Sequence, residues 1–498
     1  MRRLLLPLAG FALLAVAASA CGSSSTGYSD PPSADPPGGG SASGSSSSGA
    51  PGPGPGPGPG PGPSADGGAD TGDGGPTSRA RCGAKPYDWV TSGALGDVLQ
   101  SESKASHTPL ELNYAIVQLK NDGAIKTKRL AKHGTKSRLV RYQTQDRGKL
   151  VDATTMVAYP DSSGTFPILL VLHGTAGFND ACSPSAGIAD DLLGGFSDAT
   201  GLLLSLFASF GYVAVAPDYI GLKSLGAPTG FLHPYLVAEP TAIASLDAVR
   251  AAKKLLKGGN VTPGDLVVMG GSQGGHAAAF VNRYAPHYAP ELSIKGSVWD
   301  VPPTDLLGQA KPALTSLRKA TGNMIAVTTT LESWYGAAPG GLSSAFKAPY
   351  DTSIPNALAT SCSPGDALSG ATIESVFTPA FRTAGLAPGF GGLSPWACYL
   401  HENSLPTTSV PKLDSVPSLF LLGELDDLVD NTVERASFQK LCSQGHVLSF
   451  LECAGASHTK ALSYAFDQWL DFLDARLAGT PLTGTCVVRP AEKCTSQP

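Results

Sequence analysis

The sequence has little charge, and no stretch of it forms the basic stripe of a nucleic-acid-binding protein. Only 15% of the 498 residues are charged, and the formal net charge is −5, so we do not expect nucleic acid as a partner. Beyond the N-terminus no apolar run approaches 18 residues, which excludes a multispanning membrane protein. No Gly-X-Y period persists, which excludes collagen.

Glycine and proline are abundant, with 60 and 41 residues, but much of this excess lies before residue 80. From residue 22 to about residue 80 the chain is mostly Gly, Ser, Pro and Asp, with Pro and Gly alternating over 51–63. So few apolar side chains cannot compensate for the entropy lost on ordering. We therefore expect a disordered tether over residues 21–80.

The N-terminus has the features of an export signal. Arg2 and Arg3 precede an apolar run over 4–20, which is short for a stable transmembrane helix. The run ends Ala18-Ser19-Ala20-Cys21 and resembles a bacterial lipobox, in which the cysteine becomes the N-terminus and carries the lipid. The sequence predicts a signal peptide over 1–20 and a lipid anchor at Cys21, which would place the protein at the outer membrane or cell surface. The same Ala-x-Ala pattern also suits simple secretion.

Eight cysteines remain after Cys21. An even number in an exported chain predicts up to four disulfides. Cys442 with Cys453 and Cys486 with Cys494 would close short loops, although pairing cannot be deduced from sequence. No CxxC pair supports a structural zinc site, and we expect neither a metal nor a cofactor.

Short apolar runs alternate with helical patterns after residue 82. The runs that we interpret as strands lie at 167–172, 212–216, 266–269, 294–298, 418–422 and 447–451. Apolar runs without alternation are typical of parallel strands that are covered on both faces. Helical spacing of apolar residues occurs between and after them, as at 242–256 and 460–477. The order predicts an α/β fold with a mostly parallel sheet flanked by helices.

The interval 301–417 interrupts this alternation and is too long to be a structureless connection. We expect an inserted cap there, which divides the α/β core into residues 81–300 and 418–498. Aromatic residues of this interval could line an apolar acyl tunnel, or most of them could form the cap's own small core. They are Trp334, Tyr335, Phe346, Tyr350, Phe377, Phe381, Phe390, Trp396 and Tyr399.

The pattern Gly-x-Ser-x-Gly occurs at 270–274, centred on Ser272. The pattern alone is weak evidence, because a glycine-rich chain produces it by chance. Here it directly follows an apolar strand and opens an Ala-rich helix over 276–282, the context in which a sharp turn presents a serine nucleophile. The alternative is a glycine-rich turn with an incidental serine.

A serine nucleophile needs an acid and a base on loops after later strands. The form Gly-x-x-Asp-x-x-Val selects Asp426 over its neighbours Asp427 and Asp430. His458 follows the last strand and could reach both Ser272 and Asp426, whereas His446 precedes that strand and lies at its wrong end.

An oxyanion needs two hydrogen-bond donors. We expect one from the backbone amide of Gln273 and the other from that of Thr175, which follows an earlier strand. His173 precedes the nucleophile, and we assign it a structural role in bracing this loop.

Four segments resemble the secretory lipase family, which includes lipase A-type enzymes of the α/β-hydrolase superfamily. They lie at 217–222, 233–236, 245–252 and 271–278, within a similarity that covers about 110–477. The resemblance implies the α/β-hydrolase fold and a triad of Ser272, Asp426 and His458. It also implies an oxyanion donor at Thr175 and a lid over 301–417.

The leading hypothesis is a serine ester hydrolase, a lipase or esterase, that acts on apolar acyl esters or triglycerides outside the cytoplasm. A peptidase or amidase could use the same triad. A non-catalytic surface-binding lipoprotein is the third hypothesis. It would allow the three side chains to lie apart, whereas either enzyme requires a hydrogen-bonded chain.

Overall fold

The computed structural model describes residues 81–187 and 199–497. The predicted signal peptide over 1–20, the predicted lipid anchor at Cys21 and the predicted tether up to residue 80 lie outside the described residues. No helix in the described part is both long and apolar enough to cross a membrane.

The described strands form one sheet. They are β1 (Val98–His107), β2 (Thr135–Asp146), β3 (Lys149–Pro160), β4 (Gly164–Leu172), β5 (Val213–Pro217), β6 (Val261–Gly271), β7 (Ile294–Asp300), β8 (Ser418–Gly423) and β9 (Leu448–Cys453). The strand order is β1-β2-β3-β5-β4-β6-β7-β8-β9. The pairs β1–β2, β2–β3 and β3–β5 are antiparallel, and every pair from β5 through β4 to β9 is parallel.

The helices lie between the strands and after the last one. They are α1 (Pro109–Asn121), α2 (Ala199–Ser209), α3 (Ala238–Leu256), α4 (Gln273–Tyr288), α5 (Leu306–Thr315), α6 (Lys319–Tyr335), α7 (Tyr350–Thr360), α8 (Ile373–Val376), α9 (Pro379–Leu386), α10 (Trp396–Glu402), α11 (Asn431–Ser443), α12 (Ala461–Tyr464) and α13 (Phe466–Leu477).

The sheet has a hydrophobic cluster on each face, and β4 shows why its sequence does not alternate. Ile168 and Leu170 are buried in one cluster, and Leu169 between them is buried in the other. Because both faces need apolar side chains, the strand becomes a continuous apolar run. Each of the six predicted runs coincides with one of the strands β4 to β9 to within a few residues, and the predicted α/β fold class is confirmed.

The predicted helix over 460–477 is two helices, separated at Ala465. The amide of Ser496 in the C-terminal tail donates to the carbonyl of Tyr464 at 2.9 Å. The hydroxyl of Ser496 accepts from the amide of Asp467 at 3.1 Å. Groups that enter the hydrogen-bond ladder of a helix interrupt it, and the tail is not recognisable as such a partner from sequence.

The helices α5 to α10 lie between β7 and β8 and share a third hydrophobic cluster. Each of the nine aromatic residues noted in this interval is buried in the cluster or packs against it. Of the two alternatives, the packing supports the one in which most of these side chains form a core of their own, and Trp334 and Tyr335 also line a cavity that does not include Ser272.

Four disulfides join the described cysteines: Cys82–Cys398, Cys182–Cys362, Cys442–Cys486 and Cys453–Cys494. The expectation of up to four disulfides is confirmed, but the two short loops are wrong. Cys442, on α11, lies near the start of β9, whereas Cys453 is the last residue of that six-residue strand. At about 3.3 Å per residue the strand is roughly 20 Å long, beyond the roughly 7 Å that a disulfide spans between Cα atoms.

The C-terminal tail runs parallel to β9 and explains the observed pairing. The amide of Cys486 donates to the carbonyl of Leu448 at 2.8 Å, and the amide of Glu492 donates to the carbonyl of Glu452 at 2.9 Å. Each end of β9 is therefore beside one tail cysteine.

Loss of the Cys182–Cys362 disulfide is expected to destabilise the fold. The bond joins the segment after β4 to the segment after α7, 180 residues along the chain. We expect the double variant Cys182→Ser/Cys362→Ser to lower the free energy of unfolding by about 2–5 kcal/mol, because the unfolded chain regains conformational freedom. Denaturant unfolding measures the change. Cys442→Ser/Cys486→Ser, which opens a separation of 44 residues, is the comparison and should cost less. An unchanged midpoint for the first variant would contradict the expectation.

Candidate active site

The turn between β6 and α4 presents Ser272 in an unusual backbone conformation, with φ 56° and ψ −118°. The flanking glycines make this turn possible. A Cβ atom on Gly270 would lie 2.1 Å from the carbonyl oxygen of Gly274, and one on Gly274 would lie 1.9 Å from that of Leu172. The Gly-x-Ser-x-Gly spacing therefore has a steric cause.

Backbone hydrogen bonds hold the turn on both sides. The amide of Ser272 donates to the carbonyl of Asp300 on β7 at 2.9 Å, and its carbonyl accepts from the amide of His276 at 3.1 Å. The helix begins at Gln273, three residues earlier than predicted. The hydroxyl of Ser272 is thereby placed at a helix N-terminus, where oriented amides favour negative charge.

The side chains of Ser272, His458 and Asp426 form one hydrogen-bonded chain. His458 Nε2 lies 2.9 Å from Ser272 Oγ, and His458 Nδ1 lies 2.8 Å from Asp426 Oδ2. Ser272 and His458 are 6% and 4% exposed. With Asp426 accepting from Nδ1–H, Nε2 is left to accept the serine proton, which is the arrangement that an enzyme requires.

Asp426 is the carboxylate that reaches His458, and its neighbours are engaged elsewhere. The amides of Leu428 and Val429 each donate to Asp426 Oδ1 at 2.9 Å. Asp427 pairs with Lys319 at 2.5 Å. Asp430 caps α11 by accepting from the amide of Thr432 at 2.9 Å.

The backbone amides of Thr175 and Gln273 make no hydrogen bond to another described residue. Gln273 is the first residue of α4, where an amide has no partner within the helix. The hydroxyl of Thr175 lies 2.9 Å from that of Tyr235, which accepts from Asn323 Nδ2 at 2.7 Å. Both expected oxyanion donors are thus available, and the Thr175 side chain is tied to its surroundings.

A buried histidine orients the side chain of Gln273. His233 is 0% exposed, and desolvation lowers its pKa to about 3, so that it is neutral. Its Nδ1–H donates to the carbonyl of Ile220 at 2.8 Å, which leaves Nε2 to accept from Gln273 Nε2 at 2.7 Å. His233 lies in the segment 233–236 that resembles the secretory lipase family, but nothing in its sequence context indicates this role.

His173 braces the loop that carries Thr175, as expected. Burial lowers the pKa of His173 to about 4. Its ring contacts that of Tyr219, with centroids 4.2 Å apart and planes tilted by 31°, and the ring of Tyr219 stacks on that of His233 with centroids 5.7 Å apart. The hydroxyl of Tyr219 donates to the backbone carbonyl of His173 at 3.1 Å. Through these ring contacts the loop of Thr175 is connected to His233, which in turn contacts Gln273.

Asp300 was not recognised from sequence, although it is a carboxylate at the end of an apolar strand. It ends β7, between the strands that precede Ser272 and Asp426. It is 1% exposed, and its Oδ1 has no hydrogen-bond partner among the described residues. Desolvation, with repulsion from Asp426, raises the pKa of Asp300 well above its usual range.

Ser272 opens into a cavity of about 60 Å³ beneath α5 and α6. Its apolar walls are formed by Leu236, Pro303, Leu306, Ala313, Ala320, Met324, Val327, Leu428 and Val429. Tyr235, Gln309 and Asn323 supply its polar groups. Aliphatic side chains from the interval 301–417, together with Leu236, Leu428 and Val429, line the cavity, and the aromatic residues of that interval do not reach it.

A larger cavity of about 810 Å³ contains none of the three hydrogen-bonded side chains. Its walls include Arg81, Arg147, Glu239 and Trp334. Size alone therefore does not locate the candidate site. Over residues 81–187 and 199–497, no group of three or more His, Cys, Asp or Glu side chains could hold a metal ion.

Comparison with known sequences identifies relatives. A model of the secretory lipase family matches residues 197–485, more than half of the chain. Lipase 5 of Candida albicans is 27% identical over 218 residues, which are 42% of this chain and 40% of that relative. The match therefore spans less than half of the length of this relative.

Comparison with solved structures confirms the α/β-hydrolase fold. The rice cell wall degrading esterase LipA from Xanthomonas oryzae, in a ligand-bound form, superposes with a TM-score of 0.60 at 20% identity, covering 77% of this chain and 97% of LipA. Candida antarctica lipase A in its closed state gives 0.60 at 17% identity, covering 81% and 87%.

Replacing Asp300 with Asn is expected to raise stability increasingly with pH. An unfolded Asp ionises near pH 4, whereas folded Asp300 keeps its proton to higher pH. The folded state then binds more protons, so the free energy of unfolding falls as pH rises, by up to about 1.4 kcal/mol per pH unit. Asp300→Asn removes this loss. Urea unfolding of both proteins at pH 4, 6 and 8 measures the widening difference.

The control for this experiment is Asp427→Asn. Partial burial opposes ionisation of Asp427, but the hydrogen bond and charge of Lys319 lower its pKa below the usual range. Removing that carboxylate should therefore give no gain at pH 8. A stability gain for Asp300→Asn that is constant from pH 4 to pH 8 would contradict the assignment of a protonated Asp300.

Proposed function

Because the chain belongs to the secretory lipase family, we propose that it is a serine ester hydrolase, a lipase or esterase acting on apolar acyl esters or triglycerides outside the cytoplasm. One observation carries the proposal. The hydrogen-bonded chain of Ser272, His458 and Asp426 ends at a serine hydroxyl that opens into an apolar cavity. Such a chain can activate a hydroxyl, and such a cavity can accept an acyl group.

In the first step Ser272 Oγ attacks the ester carbonyl carbon, and its proton moves to His458 Nε2 over the 2.9 Å contact. Asp426 holds Nδ1–H at 2.8 Å, which keeps the imidazole tautomer correct and stabilises the imidazolium that forms. His458 then gives the proton to the leaving alkoxide as the acyl–oxygen bond breaks. The alcohol departs and an acyl-enzyme remains.

The carbonyl oxygen becomes negatively charged during this attack. The amides of Thr175 and Gln273, which have no other partner in the described part of the chain, are the donors that we propose for it. Loss of one such donor costs about 3 kcal/mol of transition-state stabilisation. Neutral His233 contacts the side chain of Gln273, and neutral His173 contacts Tyr219 beside the loop of Thr175. Neither histidine adds a positive charge near the proposed donors.

In the second step water replaces the alcohol. His458 takes a proton from the water as its oxygen attacks the acyl carbonyl, and returns that proton to Ser272 Oγ as the acid leaves. The proton count is balanced over the cycle, so that one ester and one water give one acid and one alcohol. An amide could follow the same path, and the assay below separates the two substrate classes.

Substitution of the nucleophile tests the proposal. For purified protein on p-nitrophenyl esters we expect Ser272→Ala to lose about 10⁶-fold in kcat or to fall to the assay limit. A fluorophosphonate should add its mass to wild-type Ser272 only. The control is Ser443→Ala, an exposed serine on α11, which should keep wild-type activity and labelling.

The opposite results would decide against the ester hydrolase. Full activity of folded Ser272→Ala would exclude this nucleophile. Folded wild type that cleaves aminoacyl amides but no ester would favour a peptidase or amidase. Folded wild type that cleaves neither and takes no label would favour a binding module.

We also propose that the protein is exported and held at a membrane surface by a lipid on Cys21. The lipobox-like segment before Cys21 supports the anchor, and the four disulfides support an oxidising compartment.

The full chain with its export signal, expressed in a Gram-negative bacterium, tests this anchor. We expect it in the membrane fraction with diacylglyceryl mass at Cys21, and Cys21→Ser in the soluble exported fraction. Export of the unchanged chain without added mass, cleaved after Ala20, would show simple secretion instead.

A further inference from the structure

The cavity at Ser272 is small for a lipase substrate. Its volume is about 60 Å³. Pockets that hold a drug-sized ligand measure roughly 300–1,000 Å³.

Building on the proposed ester hydrolysis, we propose that Ser272 acts on esters of short rather than long acyl chains, because its cavity is small. The acyl group occupies the cavity between α5 and α6, with Leu306, Met324 and Val327 against it. These walls leave little room for a long acyl chain while the helices keep this position. The substrate class is therefore a short-chain carboxylic ester rather than a long-chain triglyceride.

Side-chain hydrogen bonds hold α5 in place beside the cavity. Gln309 Oε1 accepts from the amide of Asp430 at 3.0 Å, and Gln309 Nε2 donates to Glu434 Oε1 at 3.0 Å. Asp430 is the N-cap of α11, which follows the loop of Asp426. These hydrogen bonds therefore attach α5 to the segment that follows Asp426.

A hydrogen bond from Asn323 holds α6 in the same way. Asn323 Nδ2 donates to the hydroxyl of Tyr235 at 2.7 Å, and this hydroxyl lies 2.9 Å from that of Thr175. Movement of α6 away from Ser272 would break this connection to the proposed oxyanion loop. Widening the cavity therefore disturbs the groups that are proposed to catalyse the reaction.

Disulfides restrain the same group of helices. Cys362, after α7, is bonded to Cys182, and Cys398 in α10 is bonded to Cys82. The interval that walls the cavity is thus covalently attached at two points to segments outside it. These bonds restrain movement of the interval away from Ser272.

The dependence of kcat/KM on chain length distinguishes a small cavity from a long tunnel. In a tunnel each added methylene leaves water and raises kcat/KM about fourfold. In a small cavity the rise stops when the space is full, and a further methylene lowers kcat/KM by about tenfold. The test is to measure kcat/KM for p-nitrophenyl acetate, butyrate, octanoate and palmitate, each below its solubility limit.

We expect a maximum at acetate or butyrate and a fall of at least about tenfold at octanoate. A rise from butyrate to octanoate, or a maximum at palmitate, would overturn the inference. The proposed function fails separately, when folded wild type cleaves no ester and its Ser272 takes no fluorophosphonate.

A pair of variants on one helix tests the wall directly. Met324→Ala enlarges the cavity and should raise the octanoate-to-acetate ratio of kcat/KM by about tenfold or more. Ile325→Ala is the control, because Ile325 is buried in the same cluster but does not line the cavity. Its ratio should stay at the wild-type value. If Met324→Ala fails to fold, Val327→Ala replaces it with the same expectation, and equal ratios for wall and control variants would overturn the inference.

Discussion

The parallel pairing of β6, β7, β8 and β9 is the constraint on which the candidate site depends. Strands that run in the same direction bring their carboxyl ends to one edge of the sheet. Ser272 follows β6, Asp426 follows β8 and His458 comes soon after β9. The register of these strands therefore brings together three side chains that are distant in sequence, and the sharp turn at Ser272 aims its hydroxyl at His458.

Much of the site is held by buried neutral groups. The pKa values of His173 and His233 are lowered by desolvation to about 4 and about 3, so that both rings are uncharged where they support the oxyanion donors. Burial likewise raises the pKa of Asp300, at the end of β7, well above its usual range and favours its uncharged form. A positive charge on either ring would have to be compensated in a dry interior, and neutrality avoids that requirement.

The helices between β7 and β8 form a wall as well as a cover. Their aromatic side chains pack on one another, and aliphatic side chains from α5 and α6 face Ser272. Hydrogen bonds from Gln309 and Asn323, together with two disulfides, attach this wall to the sheet side of the molecule. The space available to an acyl group therefore depends on how the helices between β7 and β8 pack against the part of the molecule that contains the sheet.

The sequence alone determined the strands β4 to β9, the fold class and the identity of Ser272, Asp426 and His458 as candidates, whereas the antiparallel strands β1 to β3 were not predicted. These features follow from local patterns: apolar runs, the Gly-x-Ser-x-Gly turn and the spacing of Asp426 from its strand. Only the tertiary structure decided the disulfide pairing, the role of His233, the burial of Asp300 and the size of the cavity. Each of these depends on which distant segments meet, and side-chain patterns along one segment carry no record of its partner. The tail beside β9 illustrates this limit, because Cys442 and Cys453 are close in sequence and yet lie at opposite ends of a strand.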